Sequence, residues 1–175
     1  CFQSASRSRL PQSLVKLHLG AKFNELLHLP PNLTCLCLST PLGVHITTPF
    51  PASLTELVLA SDVRPLPPSL LPNSILTLSL KQPVVQGSIP QSVTKLVYNC
   101  DSPIPVGAIP DSVTMLNISH YRYPELLPGV IPSAVTHLEL PPSFNQQILP
   151  GLLPSSLTHL RLGTWFDQIL MPGVL

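Results

Sequence analysis

Proline sets the first limit on what this chain can fold into. There are 23 prolines in 175 residues, one every seven or eight positions on average. Each would cost ~3 kcal/mol inside a helix, so long helices are excluded. Disorder, the usual consequence of so much proline, is opposed by a 44% hydrophobic content with 34 leucines, enough apolar surface for a core. Charged residues make up only 10%, against a typical ~25%. The mean hydropathy of +0.35 raises the question of a membrane protein. However, Pro, Ser, Thr or Gln interrupts every apolar run short of the ~20 residues a spanning helix needs.

The prolines are not scattered. Eight segments place an apolar residue before Pro and a second one three residues after it: Leu10-Pro11-Gln12-Ser13-Leu14, Leu29-Pro30-Pro31-Asn32-Leu33, Phe50-Pro51-Ala52-Ser53-Leu54, Leu71-Pro72-Asn73-Ser74-Ile75, Ile89-Pro90-Gln91-Ser92-Val93, Ile109-Pro110-Asp111-Ser112-Val113, Ile131-Pro132-Ser133-Ala134-Val135 and Leu153-Pro154-Ser155-Ser156-Leu157. From one anchor proline to the next is 18 to 22 residues. Each anchor leads into the same apolar triplet, as in Leu54-x-x-Leu57-x-Leu59 and Val93-x-x-Leu96-x-Tyr98. The ending Met171-Pro172-Gly173-Val174-Leu175 repeats Leu149-Pro150-Gly151-Leu152-Leu153 and opens a ninth copy. A repeating unit of this length cannot bury its apolar face alone, and stacked neighbours cover it.

The last two apolar residues of each triplet alternate with period two, the pattern of a short strand with both pointing inward. The rest of each repeat must return the chain without a helix, through extended, polyproline-like or 3₁₀ segments. The expected fold is mainly β: a right-handed solenoid with a parallel sheet on one face, Pro-rich returns and few or no α-helices. Residues 1–9 read as an N-terminal tail or partial cap, and residues 10–175 as eight repeats plus the start of a ninth. Gly87, Gly107, Gly129, Gly151 and Gly173 recur three residues before the anchor position, where a positive φ or tight backbone is expected.

The Leu-x-x-Leu-x-Leu core resembles a short leucine-rich repeat. The later copies resemble the FNIP repeat of amoebae and giant viruses, with Phe-Asn, a Gly, Ile-Pro, a Ser-x-Thr-x-Leu-x-Leu strand and a closing Gly. The clearest copies are Phe144-Asn145-Gln146-Gln147-Ile148-Leu149-Pro150-Gly151-Leu152-Leu153-Pro154-Ser155-Ser156-Leu157-Thr158-His159-Leu160-Arg161-Leu162-Gly163, then Phe166-Asp167-Gln168, and the earlier Leu17-His18-Leu19-Gly20-Ala21-Lys22-Phe23-Asn24. Repeats three to six lack the Phe-Asn pair, and the Asn ladder usual in leucine-rich repeats is absent. The resemblance implies a curved β-solenoid that binds other proteins, and it carries no catalytic residues. Leu66-Pro67-Pro68-Ser69-Leu70-Leu71-Pro72 is also similar to the Leu-Pro-rich repeats of bacterial ubiquitin-ligase effectors. That resemblance implies a recognition module whose catalytic part would lie outside this chain.

Function is read from the residues that flank the middle Leu of each strand, which should face outward. Counting the anchor proline as zero, position five reads Lys16, Cys35, Glu56, Thr77, Lys95, Met115, His137, His159. Position seven reads His18, Cys37, Val58, Ser79, Val97, Asn117, Glu139, Arg161. Neighbours within a column interact across strands, and Glu139 beside Arg161 is an expected ion pair. His137, Glu139, His159 and Arg161, with Lys95 and Asn117, form the expected partner-binding patch. His18, Cys35 and Cys37 cluster as a three-ligand set without a fourth, and small half-buried residues are their plainer reading. The His137–His159 pair could titrate or take a metal, but on a repeat face it reads first as contact surface. Thr at position four and Ser at position two, six copies each, read as a hydroxyl ladder serving backbone groups. No nucleophile elbow, phosphate loop or dinucleotide fingerprint is present.

A net charge of +1 gives no electrostatic footprint for nucleic acid. The four cysteines, Cys1, Cys35, Cys37 and Cys100, match neither a disulfide framework nor paired zinc ligands, which fits reduced thiols in the cytoplasm. The sequons at Asn32 and Asn117 fall inside the Ser/Thr-rich repeat and do not decide the compartment. The expected function is non-enzymatic protein–protein recognition without cofactors or a membrane span. The alternative is structural self-association end to end, since open solenoid ends expose strand edges.

Overall fold

Every repeat opens with the same turn. In all eight, the carbonyl of the anchor proline accepts the amide three residues on, at 3.0–3.4 Å, from Leu14 to Pro11 through to Leu157 to Pro154. Proline supplies a preset φ and lacks only an amide, so it gives up no turn hydrogen bond here. The computed structural model describes residues 8–23, 27–40, 49–61, 64–120 and 125–174. Residues 1–7 of the expected tail, Asn24 of the first Phe-Asn pair and Leu175 lie outside them.

Ten strands follow in chain order among the described residues: β1 (Ser8–Arg9), β2 (Lys16–Leu19), β3 (Leu27–His28), β4 (Cys35–Leu38), β5 (Glu56–Leu59), β6 (Thr77–Leu80), β7 (Lys95–Tyr98), β8 (Met115–Ile118), β9 (His137–Glu139) and β10 (His159–Arg161). All but β1 and β3 form one parallel sheet of eight strands, ordered β2-β4-β5-β6-β7-β8-β9-β10. Just before the first anchor, β1 pairs in parallel with β3. The main sheet is in register repeat to repeat, so position five always faces position five, as in Lys95, Met115 and His137. No residue is helical among those described.

Burial follows the two-residue period. Strands β5, β7 and β8 read exposed, buried, intermediate, buried, and the inward residues form one continuous core with the apolar residue of each anchor. The end repeats differ. Leu14 and Leu17 at one end, and Leu157, Leu160 and Leu162 at the other, are only partly buried, because a solenoid repeat is covered from both sides only when it has two neighbours.

The Pro-rich returns are built from β-turns and extended chain, and no 3₁₀ segment occurs among the described residues. Of the expected extended, polyproline-like or 3₁₀ returns, the extended form is the one found, and the recurring glycines shape its turns. Gly87, Gly107, Gly129, Gly151 and Gly173 all have φ between 76° and 83°, each as third residue of a turn closed by a 3.0–3.3 Å bond such as Val130 N to Leu127 O. A positive φ at that place gives a type II turn and stops helical propagation. Repeat four carries Ser69 at the same place, with φ of 58°. A left-handed non-glycine residue costs ~1–2 kcal/mol, partly offset by the extra backbone entropy that glycine would lose on folding. Ser69→Gly is therefore expected to raise stability by about 0.5–1 kcal/mol, read as a higher denaturation midpoint at unchanged slope.

Side chains add to the few backbone bonds that link successive returns, such as Leu66 N to Pro83 O at 2.8 Å. Gln146 donates from Nε2 to the Leu126 carbonyl at 2.9 Å and accepts the Leu126 amide at 2.8 Å. Ser88 Oγ, buried, donates to the Leu66 carbonyl at 2.5 Å. Asn145 Oδ1 accepts the Asp167 amide at 3.1 Å, while Phe144 stacks on Phe166 with centroids 6.1 Å apart. The Phe-Asn pair thus does at repeats seven and eight what an Asn ladder does elsewhere, a role that was not recognisable in the sequence.

Candidate functional site

The hydroxyl ladder fixes the entrance to each strand. The position-four carbonyl of one repeat accepts both the position-four and position-five amides of the next, as Thr114 O accepts Thr136 N at 2.9 Å and His137 N at 3.1 Å. The threonine hydroxyl bonds the same carbonyl, at 3.1–3.4 Å along Thr34, Thr55, Thr94, Thr114, Thr136 and Thr158. Position-two serines do likewise one residue earlier, as Ser112 Oγ donates to Val93 O at 2.8 Å. Repeat four breaks both patterns, with Leu76 at position four and Ser74 Oγ buried without a partner.

This ladder places the two histidines. His137 and His159 are register partners on β9 and β10. Their rings stack with centroids 4.0 Å apart and planes 9° from parallel. Each Nδ1 lies 2.9 Å from the hydroxyl of the preceding threonine, Thr136 and Thr158 respectively. Ring stacking and a fixed nitrogen together hold both imidazoles on the sheet surface.

Position seven supplies the charges. Asn117, Glu139 and Arg161 are successive register partners across β8, β9 and β10. Asn117 Nδ2 donates to Glu139 Oε2, and Arg161 Nη1 stands 3.8 Å from Glu139 Oε1. Arg161 is 78% exposed, so the ion pair contributes little to stability and its guanidinium retains free donors. Just past the strand ends a shallow cleft of about 180 Å³ is lined by Asn117, Glu139, Leu140, Pro142, Arg161 and Thr164, among others. The structure therefore gathers His137, Glu139, His159, Arg161 and Asn117. Lys95 is one strand further off, separated from His137 by exposed Met115.

The thiol cluster lies towards the other end of the sheet. Cys35 lies between Lys16 and Glu56, and Cys37 beside His18 and Val58. Burial pushes the Cys35 thiol up, and the Glu56 carboxylate adds to this by its charge and a hydrogen bond, with Lys16 opposing. Burial and then Glu56 raise Cys37 as well. A raised thiol holds less thiolate, the form that attacks electrophiles and binds metals. No group of three or more His, Cys, Asp or Glu that could hold a metal ion occurs among the described residues. Both sequon asparagines are engaged, Asn117 with Glu139 and Asn32 with the Gln12 carbonyl at 3.1 Å. No helix among the described residues is long and apolar enough to cross a membrane.

Among solved structures the chain is similar to CroV588, described as a novel circular LRR protein structure, at 25% identity and a TM-score of 0.71. The likeness covers 95% of this chain and 32% of that one, so this chain spans about a third of that protein. None of the curated proteins matches. The FNIP Repeat family model matches residues 81–121, 124–164 and 144–175, together just over half of the sequence. With its eight parallel strands stacked in the same repeat, the chain belongs to the FNIP-repeat family.

Proposed function

We propose that the chain is a non-catalytic recognition scaffold that holds a protein partner on the exposed face of its eight-stranded sheet. The contact centres on His137, Glu139, His159 and Arg161, flanked by Asn117 and Lys95. The observation that carries this reading is the fixed orientation of the patch: stacked imidazoles anchored to threonine hydroxyls, beside a carboxylate bonded to Asn117. Side chains already ordered in the free protein lose less entropy on binding. An Arg with spare donors and an exposed Met are residue types enriched in protein interfaces. The free thiols of Cys35, Cys37 and Cys100 support a reducing, cytoplasmic setting.

End-to-end self-association is the second reading. A second copy adding its β2 to β10 in the same register would set Lys16 beside His159 and His18 beside Arg161, a join without an opposite-charge pair in either column.

Affinity capture followed by titration of the captured partner tests the patch. The combined variant His137→Ala, Glu139→Ala, His159→Ala, Arg161→Ala is expected to weaken the partner at least ~100-fold, since a few central residues dominate such interfaces at ~2 kcal/mol or more each. Undiminished affinity would remove the patch as the site.

A further inference from the structure

The threonine ladder decides which nitrogen of each patch histidine faces outward. In six repeats a threonine hydroxyl bonds the carbonyl of the preceding repeat at 3.1–3.4 Å, whether the next residue is Cys35, Glu56, Lys95, Met115, His137 or His159. The hydroxyl proton therefore belongs to the ladder and not to the imidazoles. Thr136 and Thr158 have one such proton each, donated to Thr114 O at 3.2 Å and Thr136 O at 3.1 Å. Towards the rings their oxygens are left as acceptors. Nδ1 of His137 and Nδ1 of His159, each 2.9 Å away, then carry the ring protons and donate them. In a neutral imidazole with Nδ1 protonated, Nε2 holds the lone pair.

Two such nitrogens stand side by side. The rings lie 4.0 Å apart and 9° from parallel, and each is tethered through the same atom to the same ladder position. Their Nε2 atoms are thus about one ring spacing apart, on the ring edge away from the backbone. His159 is exposed and His137 half-buried, so the pair opens to solvent. Two imidazole nitrogens in neighbouring positions on one ion, at ~2.1 Å, are roughly 3.0–3.4 Å apart. Tipping each ring inward by roughly 0.3–0.5 Å gives that separation. A metal-binding histidine usually donates its other N–H to a fixed acceptor, which sets the tautomer and the ring orientation. Thr136 and Thr158 already do this.

We propose that His137 and His159 form a two-nitrogen site for a divalent transition-metal ion, held by both Nε2 atoms with water in the remaining positions. Imidazole selects copper, nickel and zinc over calcium and magnesium, which take oxygen ligands. Among the three, copper binds tightest. Beside the pair, Glu139 and Arg161 are engaged with each other, so their charges offset. Met115, the register partner of His137 on its other side, is uncharged. With two protein ligands the ion exchanges freely and does not hold the fold together. The site needs no protein partner, so it stands or falls separately from the recognition role of this face.

Titrating the whole chain with Ni²⁺, a paramagnetic ion that thiols do not reduce, tests this by residue-resolved NMR. The expected result is broadening of the His137 and His159 ring signals together and ahead of all others. His159→Gln changes an exposed side chain and is expected to abolish the joint broadening. Thr158→Val is expected to weaken the ion about 10-fold, the lower end for loss of a supporting hydrogen bond, while Thr158→Ser keeps the affinity. Broadening of neither ring, or of one without the other, overturns the proposal. So does broadening centred on His18, Cys35 and Cys37, or unchanged affinity in His159→Gln or Thr158→Val. The signals of the unaltered chain decide the matter even if a variant does not fold.

Discussion

Replacing Gly163 with alanine is expected to destabilise the last repeat by about 3 kcal/mol, the upper part of the range for overpacking a fixed site. Gly163 follows β10 at repeat position nine. A Cβ there would sit 2.1 Å from the Pro141 carbonyl oxygen and 2.7 Å from that of Pro142. Both neighbours are backbone, and the Pro142 carbonyl also accepts the Trp165 amide at 3.1 Å. Relief requires the repeat-seven return to move, which breaks that bond and separates Phe144 from Phe166. Gly20 occupies the same repeat position in the first copy, with nothing within 4 Å of a built Cβ. Gly20→Ala is accordingly expected to fall within about 0.5 kcal/mol of neutral. Thermal denaturation of the two variants, with amide exchange at Phe166, separates a local clash from a general intolerance of alanine at this position.

Truncating the core at mid-array gives the second large effect. Leu96 on β7 is 0% exposed and lies between Leu78 and Leu116 in register. Leu96→Ala is expected to cost about 2–5 kcal/mol through lost transfer energy and the cavity left behind. Leu160 on β10 has the same repeat position but is only partly buried, and its truncation should cost clearly less. The difference follows from nearest-neighbour coupling: a central residue supports two interfaces and a terminal one supports one. Equal losses at the two positions, measured by urea denaturation, would contradict that coupling.

The strands and their facing were legible because the anchor Pro and the apolar triplet obey purely local rules. Each of Leu57, Leu78 and Leu96 is inward for the same reason, visible within six residues. The columns of outward residues followed automatically, so the proximity of His137 to His159 and of Glu139 to Arg161 was open to sequence reasoning. What escaped it depends on the returns, whose lengths vary. The clash at Gly163 exists only because Pro141 and Pro142 pass beneath it. Ser69 takes a glycine's conformation with no glycine to announce it. The Asn145 bond to Asp167 does the work of a ladder from a loop rather than from the strand consensus. The recurring glycines marked a backbone requirement but not that Val85, Val106, Leu127, Leu149 and Met171 beside them would be exposed.

On the proposed function, a partner binds the exposed sheet face around the stacked histidines. The most direct measurement is site-specific photo-cross-linking of the partner complex. One copy carries the cross-linker at Met115, exposed on β8 inside the patch. The other carries it at Gln91, exposed on the corner turn outside the sheet. Partner cross-links are expected from position 115, and few or none from 91. Cross-links from 91 with none from 115 would contradict this placement of the partner.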